Sequence, residues 1–217
     1  MGKIEYPINP ITAYEEWVAM ENDTNQEIRK KNDGYMSASS AGMCHKKHFY
    51  SMQKVETRPF EKKSLLIMRL GTVMGQDFVK YFDYLSEDSP VTCFREVYLN
   101  SKELGVGGHM DLLLVDENNK GWLWDWKTAN SFKFKTVFQG GYGSPSTNYE
   151  LQVSTYGLLA LENKLCEEIA HLGLLYYNKD NSTIKEKIVD LNYMDKAEKY
   201  WRDVKASTNS FLTEPMF

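Results

Sequence analysis

The chain is poor in cysteine. Only Cys44, Cys93 and Cys166 occur in 217 residues, odd in number and scattered. That argues against a disulfide framework and for a reducing, cytoplasmic setting. No apolar run approaches the ~20 residues that a membrane-spanning helix needs. The opening Met1–Pro7 has no apolar stretch of the secretory kind, so no membrane partner is expected. A cationic excess is missing too: 26 Lys and Arg stand against 30 Asp and Glu, a net charge of −4. Bulk charge therefore does not advertise nucleic-acid binding, although a local basic groove can exist in an acidic protein. Internal repeats and low-complexity tracts are absent as well. The length suffices for one domain with a sizeable core.

What is present centres on residues 105–128. Val106–Val115 and Trp122–Lys127 read as two strands joined by the polar turn Asp116–Gly121. Side chains alternate along a strand, so Trp122, Trp124 and Trp126 share one face, a wall of indoles that calls for burial. Leu123, Asp125 and Lys127 share the other, beside the strand that carries Asp111. A carboxylate and an amine in such an apolar hairpin cost several kcal/mol if dry and unpaired. Two readings are open: a buried Asp–Lys pair that holds the hairpin, or a divalent-metal site with a lysine beside it.

The flanking segments read as follows. Residues 11–31 form a helix started by Asn9-Pro10, with Tyr14, Trp17, Val18 and Ile28 as its apolar stripe, and Asp33-Gly34 breaks it. Ser37, Ser39 and Ser40 precede a helix that carries Lys46 and Lys47; serines there can cap it, and its free amides can hold a phosphate. Cys44, His45 and His48 lack an obvious fourth zinc ligand. Residues 64–85 are a helix with Ile67, Leu70, Met74, Phe78, Phe82 and Leu85 as its apolar stripe. Gly71 and Gly75 sit one turn apart on it, and Arg69, Thr72, Gln76 and Lys80 make a polar stripe. Val91–Leu99 is a strand, the first of three consecutive antiparallel ones. Residues 129–148 read as a long loop whose Phe132, Lys133, Phe134, Lys135, Phe138 and Tyr142 suit either base stacking with phosphate contact or pinning to the core. A helix over 149–163 places Gln152 and Tyr156 on one face. Strands at His171–Tyr177 and Thr183–Val189 pair through residues 178–182, and a helix closes the chain at about 193–206, with Met194, Ala197, Tyr200, Trp201 and Val204 turned inward.

Four pieces carry a resemblance. Gly108-His109-Met110-Asp111 resembles a G-x-x-D motif, and Asp125-Trp126-Lys127 a D-x-K motif. Gln152-x-x-x-Tyr156 resembles the Q-x-x-x-Y motif of the RecB-like branch of the PD-(D/E)xK nucleases. The segment from Ser37 through Cys44 to Tyr50 is similar to the serine-rich stretch before many of these cores. The likeness covers roughly residues 37–177. It implies an α/β restriction-endonuclease-like core, a mixed sheet of about four to five strands flanked by helices. A helical segment at about 1–63 would precede a catalytic core at about 64–190.

The same resemblance implies a DNA nuclease, most closely an exonuclease acting on ends or single strands in replication, recombination or repair. Asp111, Asp125 and the Trp126 carbonyl would hold Mg²⁺ or Mn²⁺, hard ions that take oxygen ligands. Lys127 would act on the water and the phosphate. Gln152 and Tyr156 would contact DNA or orient that lysine, and Ser37, Ser39, Ser40, Lys46, Lys133 and Lys135 would hold the strand. The setting would be a bacterial or phage-infected cell, with a protein partner in a replication or recombination complex conceivable. A catalytically inactive DNA- or protein-binding module on the same fold is the alternative.

Two departures stand out. Gly75 and Gln76 occupy positions where relatives carry histidine and glutamate, which leaves Gln76, or Asp77 beside it, as the helix's metal ligand. No iron–sulfur cluster is expected, because the cluster of some relatives needs four cysteines and only Cys166 follows Cys44 in the later region.

Overall fold

The structure, a computed structural model, describes residues 9–31, 34–55, 58–85, 89–139 and 147–213. Asp33 and Tyr142 lie outside these residues, as do the side chains of Ile28 and Leu85. Helix α1, Pro10–Lys31, starts where Asn9 Oδ1 accepts the Ile11 amide at 3.0 Å, a side-chain cap for an otherwise unpaired donor. Then come β1 (Met36–Ser37), a short 3₁₀ turn (Ala38–Ser40), α2 (His45–Met52) and α3 (Lys62–Leu85). Strands β2 (Thr92–Ser101), β3 (Val106–Val115) and β4 (Lys120–Ala129) follow, then α4 (Ser131–Gln139) and α5 (Thr147–Glu162). The chain continues through β5 (Glu168–Asn178), β6 (Ile184–Val189) and α6 (Tyr193–Thr213).

The strands form one mixed sheet. β2, β3 and β4 are antiparallel in sequence order, as their turn chemistry predicts. Between β3 and β4, Asp116 Oδ1 accepts the amides of Asn118 (3.0 Å) and Lys120 (2.8 Å), while Asn119 takes the left-handed conformation that asparagine tolerates. β5 runs parallel to β4 after the crossover through α4 and α5, and β6 returns antiparallel to β5. Among the described residues the sheet has six strands: beyond the five that the sequence pattern reveals, β1 adds two residues parallel to β3. Two residues are too few to show alternation.

Helices α4 and α5 supply one side of the core. Phe134, Val137, Val153, Tyr156 and Leu159 pack with Leu123, Leu172, Leu174 and Tyr176 of the sheet. α6 locks α5 in place, with Trp201 fully buried and its Nε1–H donating to Thr155 Oγ1 at 2.8 Å. On the opposite side Phe78 of α3 stacks on Trp126, ring centroids 4.2 Å apart. Among the described residues no helix is long and apolar enough to cross a membrane.

Four expectations are corrected. Residues 131–139 are helix α4 rather than loop; burial of Phe134 and Val137 on one face supplies the stabilisation that its weak periodicity did not show. The buried face of β4 is the one with Leu123, Asp125 and Ala129, whereas Trp122 and Trp124 are only half-buried. Ile67 and Leu70 are exposed, and α3 buries Leu65 and Val79 instead. The serines do not cap α2. Cys44 occupies that position without a side-chain cap, and the serines bond among themselves, Ser37 Oγ to Ser39 Oγ at 2.8 Å.

Packing at the turn end of the hairpin is tight. A Cβ on Gly121 would stand 2.9 Å from Cys166 Sγ and 3.0 Å from Leu113 Cδ1. Gly121→Ala is expected to destabilise the fold by about 1–3 kcal/mol, the usual cost of overpacking a core. Urea denaturation checks it, and an unchanged midpoint would show that the neighbours yield freely.

Candidate active site

The sheet forks at the acids. β3 and β4 pair from Val115 opposite Gly121 to Leu112 opposite Trp124, and there the ladder stops. One step further the same register would set Asp111 against Asp125. Instead Asp111 Oδ2 accepts the Trp126 amide at 2.6 Å. β2 occupies one edge of β3 along its length, so β1, which pairs with Val106 and Gly107, must use the same edge as β4. Between β1 and β4, among the described residues, no strand pairs with β3 at 108–111. α5 covers that gap. A Cβ on Gly108 would stand 3.1 Å from the Tyr156 hydroxyl, so glycine there lets α5 come close.

α5 also sets the charges. Gln152 donates from Nε2 to Asp125 Oδ1 at 3.0 Å and accepts from Lys127 Nζ on Oε1 at 3.2 Å. Lys127 Nζ pairs with Asp125 Oδ2 at 2.5 Å and lies 4.7 Å over the Tyr149 ring. Asp125 is 1% exposed and Gln152 6%. The ion pair of the first reading therefore exists, and it exists inside a cavity.

That cavity has a volume of about 250 Å³. Gly71, Thr72, Gly75 and Gln76 of α3 form one wall. Glu96, Asp111, Asp125, Trp126, Lys127 and Gln152 form the rest. A Cβ on Gly75 would be in ordinary contact with Trp126, 3.5 Å from its Cδ1, so the glycines leave room without being sterically required. Asp77 does not line the cavity, and Gln76 does.

Burial and mutual repulsion hold the acids in check. Burial first, then the Asp125 charge, push Asp111 up to about 7. Asp125 is raised by burial against the opposing pull of Lys127. For Lys127, burial pulls down, but Asp125 and Asp111 outweigh it and the net direction is up, so it is an ammonium at neutral pH. Tyr156 is raised, chiefly by burial, and keeps its proton.

Sequence reasoning missed Glu96. It lies on β2 opposite Asp111, since Arg95 faces Leu112 and Val97 faces Met110, and its φ of 49° interrupts the ladder. A non-glycine residue in that region is uncommon, and such strain collects at functional sites. Burial, then the Asp125 charge, raise its carboxyl, against His109. Alternation along Val91–Leu99 puts Glu96 on one face with Thr92, Phe94 and Tyr98 and gives no reason to single it out.

Other expected residues fall elsewhere. Tyr156 is buried behind the cavity, so of its two expected roles the geometry favours orienting over touching a strand. Ser37, Ser39, Ser40 and Lys46 do not line the cavity. Ser40 Oγ bonds the Ser37 carbonyl at 2.5 Å and meets His48 Nδ1 at 3.4 Å. His48 itself is buried, pushed down to about 4 chiefly by burial, and bonded to the Tyr200 hydroxyl at 2.6 Å. Lys133 donates to the Tyr149 hydroxyl at 3.0 Å, one step from Lys127, and Lys135 is exposed further along α4.

A mixed sheet that forks at two acids and a lysine defines a restriction-endonuclease-like α/β fold. The model of the PD-(D/E)XK nuclease superfamily matches residues 49–215, and the chain belongs to that superfamily. No protein of curated function matches it in sequence. Solved structures share its fold at low identity. The alkaline exonuclease LHK-Exo of Laribacter hongkongensis superposes with a TM-score of 0.53 at 14% identity, over 83% of this chain and 90% of that one. Its complex with dAMP gives 0.51 at 14% identity, over 83% and 90%. A protein of Eubacterium rectale gives 0.52 at 14% identity, over 95% and 88%.

The raised Asp111 carboxyl has a pH consequence. Its folded-state value near 7 lies above the ordinary carboxylate value, so the folded form holds this proton more tightly. Its stabilising contribution is full below about pH 4 and is lost as pH rises through 7. In EDTA the melting temperature is therefore expected to fall across pH 5–8, and less steeply in Asp111→Asn. Parallel profiles for the two proteins would contradict the assignment.

Proposed function

We propose that this nuclease-superfamily protein hydrolyses phosphodiester bonds of DNA with Mg²⁺ or Mn²⁺, as an exonuclease acting on ends or single strands. The observation that carries the reading is the fork, where Asp111, Asp125 and Lys127 meet in one cavity under the Gln152 clamp. Among the described residues no group of three or more His, Cys, Asp or Glu side chains could hold a metal ion. The donor set is instead mixed: Asp111, Asp125, the Trp126 carbonyl and the Gln76 amide oxygen, all hard oxygens of the kind Mg²⁺ and Mn²⁺ take. A bound divalent ion would neutralise charge on the phosphate and lower the pKa of water.

The chain's own groups do the rest. Lys127, an ammonium at neutral pH, donates to the phosphate or the attacking water rather than taking a proton. Gln152 fixes the spacing between Asp125 and Lys127. Tyr156 backs that arrangement from its buried position. Phe132, 81% exposed at the start of α4, and Lys133 and Lys135 beside it offer a stacking surface and cations to a single strand. Apolar side chains exposed on α1 and α3, such as Ile11, Met20, Ile67 and Leu70, leave a face for a protein partner in a replication or recombination complex.

Gly75 in place of histidine, together with the lack of a three-ligand cluster, favours a second reading, a DNA-binding module without turnover. One experiment separates them. End-labelled linear and circular DNA are incubated with Mg²⁺, Mn²⁺ or EDTA. Metal-dependent loss of linear DNA alone is expected, and intact DNA in every lane supports the second reading. Lys127→Ala is expected to lose at least a hundredfold in cleavage rate, as for loss of a charge-stabilising donor. It should keep the rise in melting temperature that Mn²⁺ causes. Loss of that rise would place the lysine in holding the metal site together rather than in turnover.

A further inference from the structure

A second cavity, of about 270 Å³, opens beside the first. Lys135, Phe138 and Gln139 of α4 line it, with Asn178, Thr183 and Lys185 from the β5–β6 turn region. Its place follows from the strand register. Lys127 faces Tyr176 across β4 and β5, and Ala129 faces Asn178, two residues further along the same strands. At about 3.3 Å per residue Asn178 lies roughly 7 Å along the strands from the level of Lys127, while Lys185 pairs with Tyr176 and so stands level with Lys127, two strands across at about 4.8 Å each. The Phe138 ring meets the Tyr176 ring edge-on at 5.7 Å, so the second cavity lies on the α4–α5 side of the sheet, from which Gln152 of α5 enters the first.

The chemistry of the cavity is that of an anion with a flat apolar part. Among the described residues that line it there is no carboxylate, although acids outnumber bases in the chain, 30 to 26. Lys135 and Lys185 are both exposed and line it together. Lys185 Nζ stands 5.6 Å over the Phe138 ring, as Lys127 and Lys133 stand 4.7 Å over Tyr149. Lysines set against aromatic rings thus continue from the first cavity to the second. The nearest acid of the turn, Asp180, is spent on α4: its Oδ2 accepts the Ser131 amide at 2.7 Å. Successive phosphates of a stacked strand lie about 3.4 Å apart along its axis, so an offset of roughly 7–10 Å is two to three nucleotide steps.

We propose that this cavity binds the DNA strand next to the scissile phosphate, with Lys135 and Lys185 on a backbone phosphate and Phe138 under a base. The proposal rests on the nuclease reading for the position of the scissile bond, but its test does not need cleavage. Binding of a fluorescein-labelled single-stranded oligonucleotide is followed by anisotropy in EDTA, for wild type and for Lys135→Ala/Lys185→Ala. The expected result is a Kd about tenfold weaker in the variant. The slope of log K against log salt should fall by about 1.4, the value for two lost contacts on a single strand. Lys135→Arg/Lys185→Arg should restore both, and matching melting temperatures show that the fold is intact.

Wild-type Kd and salt slope in the alanine variant would overturn the proposal. So would a wild type that does not bind the oligonucleotide. A deoxynucleoside monophosphate that binds wild type as tightly as the strand does, but not the variant, would assign the cavity to released product and overturn its assignment to the strand. Cleavage of the same oligonucleotide by wild type with Mg²⁺ is scored separately. A protein that binds through these lysines but never cuts upholds the cavity and sinks the nuclease reading.

Discussion

The structure turns on one electrostatic conflict. Asp111, half-buried, and Asp125, buried, are held side by side at the point where two strands would otherwise pair. Burial and like charge both oppose their ionisation. Lys127, the half-buried cation that lines the cavity, answers only part of it, because both carboxyls stay raised with the ion pair in place. A hydrogen-bonded ladder at this position would have cost less. The fork breaks a local rule of strand pairing, and such breaks concentrate at functional sites.

Much of the surrounding architecture maintains that fork. β1 and β4 take opposite ends of one β3 edge, and α5 fills the opening between them with Gln152 and Tyr156. α5 is in turn fixed by Trp201 of α6 through Thr155. α3 closes the far wall, its Phe78 stacked on Trp126, so that the residue between the two charged positions of β4 anchors the other layer.

The sequence disclosed the parts that obey simple periods. Alternation set Asp125 and Lys127 on one face, and the turn at Asp116–Gly121 fixed the hairpin that brings Asp111 near. Helical spacing put Gln152 and Tyr156 together. Among what was not legible, three things bear on the site. β1 is too short for any pattern. Glu96 enters the site through a left-handed backbone, a tertiary constraint that leaves no trace in residue type. The buried face of β4 was misassigned because indoles outweigh a Leu–Asp–Ala face in transfer terms, yet Gln152 of α5 bonds Asp125 Oδ1 and Lys127 pairs with its Oδ2, which lets that face go inward.

The central claim is that the paired carboxylates exist for a divalent ion and the chemistry it supports, rather than for the Asp125–Lys127 pair itself. Thermal melting of Asp125→Ala, with and without Mn²⁺, addresses it most directly, read beside DNA cleavage. Removing a carboxylate that repels Asp111 should leave the EDTA melting temperature within about 4 °C of wild type, roughly 1 kcal/mol for a chain of this size. It should also abolish both the Mn²⁺-induced rise and cleavage. A variant that melts far lower in EDTA, by the several kcal/mol that a stranded buried ammonium costs, yet is still stabilised by Mn²⁺ and still cuts, would contradict the account.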